Sequence, residues 1–123
     1  MPKIQRFEDL QAWQKARELA KVIDDLASNP KFSRDAYLRN QIRGAAGSVM
    51  HNIAEGFDSG SGPEFIRFLK MARRSASEVQ SELYQALDRK HINEEERQRA
   101  YDLASEAKRL INGLISYLRG RKT

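Results

Sequence analysis

Proline stands at only three places in this sequence, 2, 30 and 63, and nowhere do Val, Ile and Thr alternate with polar residues in the manner of a half-buried strand. Because proline lacks an amide donor and disfavours helix in the residue before it, long helices are permitted only between these marks. Apolar spacing fills the permitted stretches. From about Phe7 to Ser28, the residues Leu10, Trp13, Ala16, Ala20, Ile23 and Ala27 advance by three or four, with Ala12, Leu19 and Leu26 widening the stripe. That period makes one apolar helix face and places Trp13 on it. Glu8 and Asp9 suit the opening turn, where acids complement the helix dipole, and Asn29-Pro30-Lys31-Phe32-Ser33 breaks the pattern.

A second helix is expected over about 35–56, with Leu38, Ile42, Ala45, Val49 and Ile53 on one face and Gly56 as the residue just past its end. After the turn Asp58-Ser59-Gly60-Ser61-Gly62, Pro63 opens a third helix over about 63–90, whose buried set is Phe65, Phe68, Leu69, Ala72, Ala76, Val79, Leu83 and Leu87. Asn93 with Glu96 three residues on is a capping-box start for a fourth, about 94–119, seamed by Ala100, Ala104, Ala107, Ile111, Leu114 and Leu118. At 1.5 Å per residue these helices run about 30 to 40 Å. Short connections make neighbours antiparallel, so the predicted fold is all-α: one domain over 1–123, an up-down-up-down four-helix bundle.

Composition narrows the function classes. The 123 residues hold no cysteine, which excludes disulfide frameworks, thiolate metal sites and cysteine nucleophiles. No apolar run approaches the ~20 residues of a membrane span, and the opening Met1-Pro2-Lys3-Ile4-Gln5-Arg6 lacks a signal peptide's apolar stretch. A cytoplasmic protein without membrane contact is expected.

Catalytic signatures are sparse. A di-iron bundle needs Glu-x-x-His on two helices, and neither His51 nor His91 has a Glu three residues ahead. Asp88 precedes His91 by three at a helix end, where a surface pair is expected. His51 and Glu55 are four apart on one helix and can touch, but one His and one carboxylate are too few for a metal. There is no P-loop, dinucleotide fingerprint, nucleophile elbow or HExxH. No metal, no cofactor and no catalytic residue is therefore expected.

Two features remain. Gly44, Ala45, Ala46, Gly47 and Ser48 interrupt the second helix with small residues, and each glycine costs about 1 kcal/mol relative to alanine. Close approach of another helix, from this chain or a second copy, would offset that. Asn52 directly after is read as a polar partner for a neighbouring element. The second feature is charge: 22 Lys and Arg against 17 Asp and Glu give +5, with the excess beyond residue 60. Arg39 and Arg43 lie a turn apart on the second helix. Arg67, Lys70 and Arg74 share a face of the third with Arg73 nearby, and Arg119, Arg121 and Lys122 close the chain. Together these nine form the candidate nucleic-acid set.

Phe7-Glu8-Asp9-Leu10-Gln11-Ala12-Trp13-Gln14-Lys15-Ala16, then Gln41-Ile42-Arg43, then Asn52-Ile53-Ala54-Glu55-Gly56-Phe57, and Phe65 to Glu78 with Phe68-Leu69, Ala72 and Ser75, resemble the bacterial four-helix-bundle family of large-subunit ribosomal RNA intervening-sequence proteins. The likeness runs from about Ile4 to Leu118. One departure is Arg74, where the family pattern carries Gly before Ser75. The resemblance implies small cytoplasmic proteins without established enzymatic activity. Related bundles accompany diversity-generating reverse transcriptases as basic five-subunit barrels that bind nucleic acid and the polymerase. For this chain it implies a homo-oligomer, a pentamer, with Trp13, Gln41, Arg43, Asn52, Glu55, Gly56, Ser75 and Glu78 serving structure or an interface.

The leading expectation is thus a non-enzymatic, self-associating bundle presenting a basic surface to RNA or DNA, in an intervening-sequence or retroelement setting. The alternative is a protein–protein adaptor or assembly scaffold whose charges serve solubility alone. A small enzyme using His51 and Glu55 comes last.

Overall fold

The computed structural model describes residues 4–120. Five helices and one 3₁₀ turn carry the described chain, with no strand among these residues. The expected start at Phe7 becomes the 3₁₀ turn Phe7–Asp9, and α1 runs Gln11–Ala27. Leu10 is extended between them, while the Gln14 side-chain amide donates to the Glu8 carbonyl at 2.9 Å and folds the turn back over the helix.

The Asn29-Pro30 break also builds something. Asn29 accepts from the Phe32 amide at 2.8 Å, and Pro30 takes the first helical position, where its missing donor is no loss. The resulting single turn, α2 (Pro30–Arg34), drives Phe32 fully into the core.

Asp35 then caps α3 (Ala36–Phe57), and Ser61 caps α4 (Gly62–Asp88) with Pro63 in its first turn. Asn93 and Glu96 exchange reciprocal backbone bonds of 2.9 and 2.8 Å at the start of α5 (Glu94–Gly120), completing the expected capping box. The third long helix stops two residues short of Lys90. His91 donates to the Ala86 carbonyl and Lys90 to that of Leu87, both at 2.9 Å, so Lys90 occupies the left-handed C′ position at φ 63°.

Packing follows the apolar stripes. α1 lies against α3 and α5, and α4 against α3 and α5, so the four long helices close a square. Each neighbour runs antiparallel. Arg43 near the start of α3 meets Asp24 near the end of α1, and Asp35 before α3 meets Arg89 after α4. Across α4 and α5, Arg73 meets Asn112 and Gln80 meets Ser105.

All five predicted positions of α3 from Leu38 to Ile53 are buried, whereas Phe65, Phe68 and Leu87 of α4 and Leu114 and Leu118 of α5 are only half-buried. Each Leu, Ile or Val so buried contributes about 1.5 to 3 kcal/mol. Two clusters result. One gathers Leu19, Ile23, Phe32, Leu38, Ile42, Val79 and Leu83 at the Asp35 end, and the other gathers Ala16, Val49, Ile53, Leu69, Ile111 and Ile115 at the Gly56 end. Trp13 differs from its expected place. It is half-buried at the margin of the second cluster, edge-on to Phe7 with centroids 5.2 Å apart and with the Arg17 guanidinium 5.8 Å from its ring centre. No described helix is long and apolar enough to cross a membrane.

Candidate nucleic-acid interface

The seven described members of the basic set divide between the two ends of the bundle. At the Asp35 end, Arg39 donates to the Ser33 carbonyl at 2.8 Å and Arg43 pairs with Asp24 at 3.2 Å. Both are engaged in joining α3 to the elements before it.

Arg67, Lys70, Arg73 and Arg74 occupy the first half of α4, at the other end. Arg67 is gripped by both oxygens of Glu64, at 2.8 and 2.9 Å, and lies 4.6 Å above the centre of the Phe68 ring. Glu64 is accordingly held below the usual carboxylate range by the Arg67 hydrogen bonds. Arg73 donates to Asn112 Oδ1 at 2.7 Å. Lys70 and Arg74 are exposed and make no ion pair or hydrogen bond among the described residues. The antiparallel register that sets Arg73 beside Asn112 carries exposed Arg119, seven residues on, to the level of Ile66 and its neighbour Arg67. Arg121 and Lys122 lie outside the described residues.

The family-like residues group differently. Asn52 donates to the carbonyl and the hydroxyl of Ser48, both at 2.9 Å, and buried Ser75 donates to the same hydroxyl from α4, also at 2.9 Å. A polar stitch thus crosses the α3–α4 seam one residue past Arg74, so the helices approach closely even though Arg74 stands where the family pattern carries Gly. Gln41, Gly44, Ala45 and Ser48 with Ser75 and Glu78 line an open groove beside it.

Gly56 is needed for packing. A Cβ there would come within 2.8 Å of Phe68 Cβ and 2.9 Å of the Phe65 ring. Gly44 has the opposite surroundings: a Cβ would meet nothing within 4 Å, so no helix of this chain offsets its cost. Its neighbours Ala45 and Ala46 do the packing. His51 and Glu55 both lie exposed and share no hydrogen bond among the described residues.

Sequence reasoning missed two clusters. His91 does not form the expected surface pair with Asp88. Its Nε2 donates to Asp35 Oδ2 at 2.9 Å, its ring stacks on Phe32 at 5.1 Å, and its carbonyl accepts from Asn29 at 3.0 Å. With Arg89 also bonded to Asp35 at 2.8 Å, the His91 and Arg89 hydrogen bonds hold the Asp35 carboxyl down at about 2. The His91 Nδ1 is buried and has no partner among the described residues. Nothing local signals this cluster, since its partners lie 56 positions apart.

The second cluster surrounds Arg97, only 6% exposed, which pairs with Glu94 and lies against the rings of Tyr84 and Tyr101. Glu94 and Arg97 at i,i+3 in a capped first turn were the readable half of it. No group of three His, Cys, Asp or Glu able to hold a metal occurs among the described residues.

Residues 8–113 match the family model of the 23S rRNA-intervening sequence protein. The chain belongs to that family. A crystal structure of a protein of unknown function from the S23 ribosomal protein family of Bacteroides thetaiotaomicron shares the fold, with a TM-score of 0.78 at 22% identity over 85% of this chain and 97% of that one. Among curated proteins no sequence matches. The motifs that carried the resemblance fall inside the matched span from Glu8 to Glu78, with Phe7 just before it.

Proposed function

We propose that this chain is a non-enzymatic, self-associating bundle of the cytoplasm that binds RNA or DNA through the cations at the Gly56 end. The supporting observation is the run of Arg67, Lys70, Arg73 and Arg74 along the first half of α4 with Arg119 of α5 beside Arg67, where Lys70 and Arg74 have no acidic partner among the described residues. Cations held on rigid helices follow a phosphate backbone and release its counterions on binding. The exposure of His51 and Glu55, and the engagement of His91 with Asp35, support a role without chemistry.

A filter-binding titration of RNA and DNA across salt tests the reading. The expected result is affinity falling steeply as salt rises, with the slope reduced by about one for each phosphate-contacting cation changed to Gln among Arg67, Lys70, Arg73, Arg74 and Arg119. Affinity no more salt-dependent than that of a neutral control refutes it. Co-purification of a protein partner insensitive to nuclease would then favour the adaptor role. Solution mass counts the copies, five being the number implied by the family resemblance.

A further inference from the structure

We propose that the seam between α4 and α5 is a single-strand track: the phosphates of unpaired RNA or DNA run along its cations, and a base stacks on the exposed ring of Tyr84. The inference rests on the nucleic-acid reading above and names the form of polymer that the surface takes.

Three contacts across the seam mark one row. Arg73 meets Asn112 at 2.7 Å, Gln80 meets Ser105 at 2.9 Å, and Tyr84 meets Tyr101 edge-on with centroids 5.8 Å apart. Steps of seven and four keep the three positions on one side of α4. From Arg73 to Tyr84 the row covers about 16 Å, at 1.5 Å per residue. Lys108 joins it in between, donating to Gln80 Oε1 at 3.1 Å.

Acids are kept off the approach to the tyrosines. α4 carries none from Phe65 to Ser77, and α5 none from Ala107 to Gly120. The next ones turn away from the seam: Glu78 borders the groove toward α3, and Glu106 borders another toward α1. Cations therefore lead from Arg119 and Lys70 past Arg73 and Lys108 to the aromatic pair.

Tyr84 has the surroundings of a platform. It is 47% exposed, while the Arg97 guanidinium that lies 4.9 Å from its ring centre belongs to a residue only 6% exposed. Glu94 and Gln98 hold that guanidinium in place. A tyrosine supported from behind gives up little conformational freedom when a partner lands on it. Every base offers a π-face to such a ring, but inside a duplex both faces are already covered by neighbouring pairs. The cations alone would serve a duplex equally well, so the open ring at the end of their row is what selects an unpaired strand.

Fluorescence anisotropy of the full chain with labelled oligo(U), oligo(dT) and a blunt duplex, each of about 12 units, tests the proposal. Both single strands should bind about tenfold more tightly than the duplex at equal salt. Tyr84→Ala should weaken single-strand binding about tenfold, leaving its salt slope and the duplex affinity unchanged, whereas Tyr84→Phe should bind as wild type. Lys108→Gln should instead lower the salt slope by about one. If Tyr84→Ala binds single strands as wild type does, or weakens duplex binding equally, the track is overturned while the salt-dependent binding of the reading above stands. Absence of salt-dependent binding to every probe overturns both. A Tyr84→Ala variant that loses the wild-type solution mass assigns the ring to a subunit contact and likewise overturns the track. Tyr84→Leu, which keeps apolar bulk without the ring, decides the matter should the alanine variant not fold.

Discussion

The two ends of this bundle are closed by different physics. At the Asp35 end, three chain corners are tied by directional bonds: Asn29 to the His91 carbonyl, and Asp35 to His91, to Arg89 and to the Leu38 amide, over the buried ring of Phe32. At the Gly56 end the seal is shape. Phe65 and Phe68 pass within a methyl's width of Gly56, and Phe57 meets Phe65 edge-on with centroids 6.0 Å apart. A directional lock responds to protonation and to loss of a partner atom. A steric seal responds to added volume. The ends should therefore fail under different substitutions.

The largest expected effect is Phe32→Ala, which empties the floor beneath the polar lock and should cost about 3 to 5 kcal/mol in urea unfolding. A cost below 1 kcal/mol would mean that α2 is not docked. Trp13→Ala, at a half-buried ring on the opposite end, should cost about 2 kcal/mol, less than full burial would give. Gly56→Ala should lose about 1 to 3 kcal/mol despite gaining helix propensity, because the added methyl overlaps two phenylalanines. Equal or higher stability would show the seal to be loose.

Asp35→Asn separates charge from capping, since Asn also caps well. It should cost about 1 to 2 kcal/mol at neutral pH through weakened bonds to Arg89 and His91. The wild-type contribution has a defined pH window. The Asp35 carboxyl sits at about 2 in the folded chain against an ordinary 3.8. Its stabilisation is therefore complete above 3.8 and drains away as pH falls toward 2. Unfolding midpoints across that window should converge for wild type and variant. Gly44→Ala is the smallest change and the opposite in sign to Gly56→Ala: with open space around it, the chain should gain about 1 kcal/mol.

Much of the apolar half of this picture was legible. Leu38 to Ile53 on α3 and the capping box of Asn93 and Glu96 are local patterns, set by helix period and by backbone groups within three residues. The polar lock was not legible, because Asp35 and His91 meet only once α1, α3 and α4 have all docked. Asn29-Pro30 was read as an interruption for a related reason: a cap and a proline at the first helical position mark a start as well as a stop.

The basic residues are visible one by one in the sequence, whereas their pairing is not. Which arginine meets an acid on a neighbouring helix depends on register, as Arg43 with Asp24 shows. Gly56 was read as the residue just past the second helix, yet it lies inside α3, where the phenylalanines of α4 require it, whereas the interrupting Gly44 has open space around it.

An even number of antiparallel rods brings the chain in and out on one side. The turn at Phe7 and the last helical residue, Gly120, emerge together at the Gly56 end, beside the level of Arg67 and Arg119. A fusion partner or affinity label on either terminus would crowd that side and mask a weak polyanion contact. An internal graft at the Lys90 corner would leave it clear.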